Sequence, residues 1–309
     1  MQPDLNLYRV LDAIHETGGV TAAARALNLT QPAISHALAR LRVAFDDPLF
    51  VRQGNHLIPT ARTEAVIGEV RRHLRGLQGI IHLHAAFDPA RWEGEVVVGI
   101  RDMLESIALP ALAATLATAA PKLRLISRRV ATGEVARQLG SGQLDLAIER
   151  RLPPHPQMRE LALVDDDLVV AMRRDHPVAA NLSRSHYLAA THVSVTPLGE
   201  TGTIDLLLRN DGRERRIGIV CQHYFAACQI AAAGEMLLTL PRSYARRMAD
   251  LLPIAVCELP LRIRPYPLLA YWHDSRDDDP ALAWLRERIA DAVIAATGDT
   301  LTPVRRTAP

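Results

Sequence analysis

The first part of the chain carries apolar positions at helical spacing. Four of them recur at i, i+3, i+4 and i+7, which predicts an amphipathic helix that ends at Gly18-Gly19. Residues 21–27 predict a second, short helix with Thr21 or Val20 near its start. A third helix begins after Thr30, a suitable N-cap, with Pro32 in its first turn. The stripes predicted to be buried are Leu7, Val10, Leu11 and Ile14 in the first helix, and Ile34, Ala37, Leu38 and Leu41 in the third. Helices joined by such a tight turn indicate a helix-turn-helix.

A hairpin and a long helix are predicted next. Residues 49–52 and 56–58 form two short strands around Gly54-Asn55, beside the third helix. From Thr60 the spacing is helical again, with apolar residues 4, 4, 3 and 4 positions apart, close to a coiled-coil seam. A second copy of the same helix is the simplest cover for such a stripe. The stripe consists of Val66, Val70, Leu74, Leu77 and Ile81.

The rest of the chain alternates strands with helices, which is typical of parallel βαβ units. Strands are predicted over residues 95–100, 123–130 and 144–148, with a long helix ending near Pro121 and another over 132–139. A more broken α/β region opens with a strand at 168–172, and the chain closes with a strand at 268–272 and a helix at 281–296.

Composition excludes several classes of protein. With 309 residues, 49% hydrophobic and 23% charged, the chain has the size of two globular domains and is neither disordered nor collagen-like. The 36 basic and 34 acidic residues nearly balance, so any nucleic-acid binding must come from a local surface. Three cysteines without a CxxC argue against a disulfide scaffold. We expect no signal peptide, no membrane span (the apolar stretch 106–120 is too short) and a cytoplasmic protein.

The sequence GGVTAAARALNLTQPAISHALARL at residues 18–41, followed by DPLFVR at 47–52, resembles the signature of LysR-type transcriptional regulators. The resemblance implies a mixed fold: an N-terminal all-α winged helix-turn-helix and an α/β, two-lobed, periplasmic-binding-protein-like effector domain. The implied boundaries are residues 1–59 for the DNA-binding domain, 60–88 for a dimerising linker helix and 89–309 for the effector domain. Lobe I would span about 89–166 and 268–309, and lobe II about 167–267.

Departures from the commonest family pattern indicate a branch. Arg42 and Asp46 stand where many members have Glu and Gly, and residues 59–63 read PTART. With YWH at 271–273, these features resemble the branch of nodulation and naphthalene/salicylate-degradation activators, whose effectors are aromatic compounds such as flavonoids or salicylate-like acids. The implied partners are promoter or operator DNA, a small organic effector, a homodimer or homotetramer partner and RNA polymerase, with no membrane and no cofactor.

An α-helix fits the major groove, so the outward residues of the third helix are candidates for base contacts, with the wing near the adjacent minor groove. Residues 17–62 contain five arginines and two aspartates, so this region has a modest net positive charge, which a dimer doubles. The predicted DNA-binding residues are Thr21, Thr30, Gln31, Pro32, Ala33, Ser35, His36, Arg40 and Arg52.

Ends of strands and starts of helices are the candidate lining of a cleft between the two lobes. Arg101 or His223, together with helix-start N–H groups, would hold a carboxylate or phenolate, and Phe225 would cover an aromatic ring. The predicted effector-binding residues are Arg101, Asp102, Thr132, Glu149, Thr196, Gly202, Thr203, His223 and Phe225.

Other classes have less support. Cys221 and Cys228 near His223 lack a second pair at zinc spacing, so we expect buried thiols and no metal site. We expect no enzyme, because the chain has no GxSxG, GxGxxG or GxxxxGK motif. The alternative kept open is a small-molecule sensor whose N-terminal helices form an interaction module and do not read DNA; specific footprinting separates the two.

Overall fold

The structure is a computed structural model that describes residues 4–54, 56–80, 87–196, 202–263 and 266–297. The chain divides into two compact units, one of residues 1–87 with 136–144 and the other of residues 88–135 with 145–309. Of the residues singled out above, Asn55 and Ile81 lie outside the described ones.

Three helices form the core of the first unit: α1 (Leu5–Thr17), α2 (Val20–Ala26) and α3 (Gln31–Phe45). Gly18 ends α1 with a φ of 67°, a left-handed conformation that costs glycine little. Thr30 caps α3 by accepting a hydrogen bond from Ala33 N at 3.4 Å, and Pro32 lies in the first turn, both as predicted. The predicted stripes of α1 and α3 are buried in one hydrophobic cluster.

The wing is an antiparallel hairpin of β1 (Phe50–Gln53) and β2 (His56–Pro59). It is followed by α4 (Ala61–Ile80), the predicted linker helix. Its apolar stripe is covered differently from our expectation. Ile67 and Val70 are buried, and Val66 and Leu74 are partly buried, in the same cluster as α1 of their own chain, whereas Leu77 is 43% exposed. The first part of the stripe therefore stabilises the folded chain itself.

The second unit contains two five-stranded sheets. The first has the order β4-β3-β5-β12-β6, in which β4, β3 and β5 are parallel as predicted and β12 is antiparallel to its neighbours. The second has the order β11-β7-β10-β8-β9. The strands of the first sheet are β3 (Gly94–Ile100), β4 (Leu123–Arg128), β5 (Leu146–Arg150), β6 (Met158–Asp166) and β12 (Tyr266–His273). Those of the second are β7 (Leu168–Arg173), β8 (Thr191–Val195), β9 (Arg216–Cys221), β10 (Leu237–Pro241) and β11 (Ile254–Glu258).

Helices flank both sheets, and a shared cluster of buried aliphatic residues from both sheets fills the interior. The helices of this unit are α5 (Asp102–Ala119), α7 (Arg184–Ala189), α8 (Thr203–Asn210), α9 (Tyr224–Ala233), α10 (Arg242–Ala249) and α11 (Pro280–Thr297), and α6 (Val135–Gly140) lies almost wholly in the segment that belongs to the first unit. Among the described helices, α5 alone is long and apolar enough to cross a membrane by length and composition, because it begins before the stretch that we considered too short. Its Leu104, Leu112 and Leu116 are buried in the protein core.

Candidate nucleic-acid interface and effector cleft

The outward face of α3 presents a continuous exposed surface. Ile34 is fully buried and Leu38 and Leu41 nearly so, which orients the helix. The predicted contact residues on the opposite face are exposed: Gln31, Pro32, Ala33, Ser35 and His36. The helix is held on one side and open on the other, the arrangement that a recognition helix requires.

Arginines flank this face, but they are not equally available. The side chain of Arg40 is 40% exposed and its Nη1 lies 3.8 Å from the carboxylate of Asp4. On the wing, exposed Arg52 donates from Nε to the carbonyl of Gly54 at 3.2 Å. Thr21 and Thr30 are exposed at the starts of α2 and α3, where backbone N–H groups suit phosphate oxygens. Hydrogen-bond donors are thus exposed on α2, α3 and the wing as well as on the outward face of α3.

Arg42 has a role that the sequence did not reveal. Its Nε donates to the carbonyl of Pro48 at 2.8 Å and its Nη2 to the carbonyl of Phe50 at 3.2 Å. These bonds fasten the end of α3 to the start of the wing. Asp46, which ends α3, has a φ of 48°, a left-handed conformation that glycine adopts more easily and aspartate tolerates.

Three predicted effector residues of the first sheet come together. Arg101 Nε donates to both carboxylate oxygens of Glu149, at 2.7 and 2.9 Å, and Arg101 Nη2 donates to Thr132 Oγ1 at 3.1 Å. They meet because Arg101 follows β3 and Glu149 lies near the end of the neighbouring parallel strand β5. The Glu149 side chain is only 4% exposed and pairs with Arg101, and its Oε1 also lies 3.7 Å from Arg150 Nε, so one buried carboxylate faces two guanidinium groups.

The predicted residues of the second sheet lie on neighbouring elements. Thr196 follows β8 and bonds through its N–H to the carbonyl of Cys221 at the end of β9. Gly202 is the N-cap of α8, whose first residue is Thr203. A Cβ at Gly202 would lie 2.9 Å from Asp205 Oδ2, so a larger residue would crowd this turn. The side chains of His223 and Phe225, at the start of α9, are 64% and 48% exposed.

Two contacts join the lobes beside these residues. The Asp102 carboxylate, at the start of α5, accepts a hydrogen bond from Tyr224 N at 3.1 Å and lies 3.8 Å from His223 Nδ1. Arg129 Nη2 donates to the carbonyl of Gln222 at 3.0 Å. Asp102 therefore caps a helix of the opposite lobe. Sequence analysis missed Arg129, although it follows β4 as Arg101 follows β3.

The cysteines do not form a metal site within the described residues, where no group of three or more His, Cys, Asp or Glu is placed to bind a cation. Burial raises the pKa of the Cys228 thiol to about 12. This thiol therefore stays protonated at neutral pH in the folded protein.

An exposed recognition helix in one unit and a two-lobed α/β arrangement in the other define a DNA-binding transcriptional regulator with an effector-binding domain. Residues 5–64 match the bacterial regulatory helix-turn-helix proteins of the lysR family. Residues 89–293 match the LysR substrate binding domain. The chain belongs to the LysR family. This confirms the family, the mixed fold class and the regulatory function that the sequence predicted.

Individual relatives support the predicted branch. The chain is 32% identical to Nodulation protein D 2 of Rhizobium tropici, over 99% of this chain and 98% of that one. It is 29% identical to the transcriptional activator NagR of a Ralstonia species, over 92% and 95% of the two chains. Among solved structures, a transcriptional regulator from Pseudomonas aeruginosa is similar, with a TM-score of 0.69 and 34% identity over 93% of this chain and 96% of that one.

Proposed function

We propose that the exposed face of α3 lies in the major groove of operator DNA and contacts base edges, while Arg52 lies near the adjacent minor groove or its backbone. The observation that carries this proposal is the exposure of Gln31, Ser35 and His36 opposite a fully buried Ile34. Glutamine pairs with adenine, and histidine or arginine with guanine or phosphate. On binding, Arg40 would leave its ion pair with Asp4 and contact the DNA instead. Thr21 and Thr30 would contact phosphates.

Substitution of Gln31 or Arg40 by alanine tests this role. Each variant should lose about 1–3 kcal/mol of binding to the preferred sequence and little binding to random DNA. Equilibrium binding to both duplexes measures the difference. Val43→Ala, at an 80% exposed position farther along the same helix, is the matched control and should bind as the wild type does. Equal loss on both duplexes would show that the residue grips phosphate and does not read bases.

We further propose that the protein acts as an oligomer, in which two recognition helices contact two half-sites. Exposed Leu77 lies on the part of α4 beyond the residues that pack on the cluster around α1. Pairing of two α4 helices beyond Leu74 would cover it. The predicted division into residues 1–59, 60–88 and 89–309 belongs to the same proposal, with lobe I over about 89–166 and 268–309 and lobe II over about 167–267.

The effector is proposed to be a small aromatic acid or phenol bound between the lobes. The similarity to a nodulation protein supports this class. Because Arg101 is paired with Glu149, an anionic effector would have to share Arg101 with that carboxylate. It would also contact exposed His223 and the N-terminus of α8 at Gly202. Exposed Phe225 offers an aromatic face.

Control by the effector follows from unequal affinity for two arrangements of the lobes. In the described arrangement, Asp102 and Arg129 of one lobe hold residues 222–224 of the other. An effector that displaces these bonds, or adds to them, shifts the equilibrium between open and closed lobes. Changed lobe positions would alter how the oligomer spans DNA and contacts RNA polymerase. We propose that this regulation takes place in the cytoplasm, and we propose no enzymatic reaction.

A panel of salicylate-like and flavonoid-like compounds tests the effector class. A true effector should raise the midpoint of thermal unfolding of the full chain, by an amount that grows with the logarithm of its concentration above Kd. Phe225→Ala should reduce that rise, whereas Leu251→Ala, at a 59% exposed position elsewhere in the effector domain, should not. No shift with any compound in a broad panel would overturn the aromatic-effector proposal.

A further inference from the structure

A chain of polar contacts connects α1 to the linker helix α4. Arg71 of α4 donates from Nε to the carboxylate of Asp12 on α1, and its Nη2 lies 3.2 Å from His15 Nδ1. His15 Nε2 in turn lies 3.4 Å from the carboxylate of Glu64 on α4. Two side chains of each helix thus alternate along the contact. The side chains of Asp12 and Arg71 are only about one-third exposed, so solvent screens their attraction incompletely.

Aliphatic contacts between the same helices cannot fix their angle alone. Ile67 and Val70 are buried and Leu74 is partly buried in the cluster that contains α1. Hydrophobic burial is non-directional, so a small tilt or slide of α4 would retain most of it. Charged hydrogen bonds depend on distance and angle, and Arg71 meets both of its partners only in one register.

We propose that Asp12, His15, Glu64 and Arg71 form a clamp that sets the angle between the helix-turn-helix and α4, and thereby the half-site spacing that the dimer accepts. This inference rests on the proposed pairing of α4 helices. A helix of 20 residues is about 30 Å long, so a tilt of about 10° at one end moves the other by about 5 Å. That exceeds the rise of roughly 3.4 Å per base pair. Arg71 and Asp12 are positioning residues that contact no base.

The test compares half-site binding with spacing preference. Preferred sequences are first selected from random duplex DNA with the full-length protein. Wild type, R71A and D12A are then titrated against one half-site and against paired half-sites whose separation differs by one or two base pairs. The variants should bind the single half-site within about twofold of wild type, because the clamp lies outside the DNA-contacting face. Their preference for the best spacing should fall about fivefold, the equivalent of one partly buried charged pair.

Two further variants separate positioning from general stability. R71K keeps the charge and can reach Asp12, so it should retain more of the spacing preference than R71A. H73A, at a 73% exposed side chain on the same helix, should keep the wild-type preference. The clamp is overturned if R71A and D12A prefer the wild-type spacing as strongly as wild type does, or if they lose affinity equally for the half-site and every spacing. If the wild-type protein selects no preferred sequence, the proposed sequence-specific DNA binding is wrong, and this outcome is seen before any variant is tested.

Discussion

The recognition helix and the effector domain present their polar side chains in opposite ways. On α3, Gln31, Ser35 and His36 are exposed on a helix whose other face is buried. In the effector domain, Arg101 already bonds Glu149 and Thr132, and Asp102 caps α9. The first surface can meet DNA without rearrangement. In the function proposed above, an effector that displaces or adds to the bonds between the lobes would couple its binding to their movement.

The largest expected effect concerns a buried pair in the second sheet's lobe. Arg215, with a side chain only 4% exposed, bonds both carboxylate oxygens of Asp205, at 2.7 and 3.1 Å. Asp205→Ala would leave a buried guanidinium without its counter-ion and should reduce the free energy of unfolding by about 3–5 kcal/mol. Chemical denaturation of the full chain measures the loss.

The matched control for Asp205 is an exposed pair. Arg124 and Glu95 form an ion pair with side chains 75% and 47% exposed. Glu95→Ala should change stability by less than about 1 kcal/mol, as expected for a solvated pair. If Asp205→Ala lowers the free energy of unfolding no more than Glu95→Ala does, then buried polar bonds do not stabilise this domain as we propose.

The next effect is a dependence of stability on pH. Burial lowers the pKa of the His192 imidazole from 6.5 to about 4, and its Nε2 lies 2.7 Å from the carbonyl of Tyr187. The unfolded chain therefore binds more protons between these values, so this contribution is present above pH 6.5 and is lost as the pH falls towards 4. Between about pH 7 and pH 5 the loss should be about 2 kcal/mol.

His192→Gln should remove most of this slope, because glutamine does not titrate. Denaturation of wild type and variant at both pH values gives the comparison. Identical slopes for the two proteins would assign the acid sensitivity to other groups and contradict a neutral, buried His192.

The smallest effect concerns the contact between lobes. Asp102→Ala removes the cap that Tyr224 N receives from the opposite lobe and should weaken the joined arrangement by about 1 kcal/mol. Fluorescence energy transfer between labels on the two lobes should show a larger open fraction. Glu93→Ala, 76% exposed on its side chain, is the control and should leave the distribution unchanged. Unchanged transfer in Asp102→Ala would mean that this cap does not bias the lobes.

Local signals predicted the N-terminal region well. The N-cap Thr30, the place of Pro32 and the buried stripes depend on spacing within one helix, which the sequence shows directly. For the apolar stripe of α4 we predicted a second copy of the helix as the cover, whereas the structure packs the first part of the stripe against its own chain. Spacing reveals that Val70 and Leu74 must be covered, but not that α1 of the same chain covers the first part of the stripe.

Long-range contacts set the limit of prediction in the effector domain. Arg101, Thr132 and Glu149 were predicted to line the cleft as ends of strands and starts of helices, and they lie within hydrogen-bonding distance of one another because parallel strands align their carboxyl ends. Their contact with an effector stays a prediction. Strand β6 was missed, since its first residues are polar and exposed at the sheet edge. The bond from Asp102 to Tyr224 joins residues 122 positions apart and depends on how two lobes meet, which no local pattern encodes.

The central claim is that the outward face of α3 lies in the major groove, twice in each dimer. Methylation interference with the full-length protein on its selected operator tests it directly, because methylation of guanine N7 blocks the major groove alone. We expect two clusters of interference on one face of the duplex, centred about one helical turn or a multiple of it apart. In Arg40→Ala, interference at one guanine of each half-site should be lost. Interference confined to the minor groove, or protection spread evenly along the DNA, would contradict it.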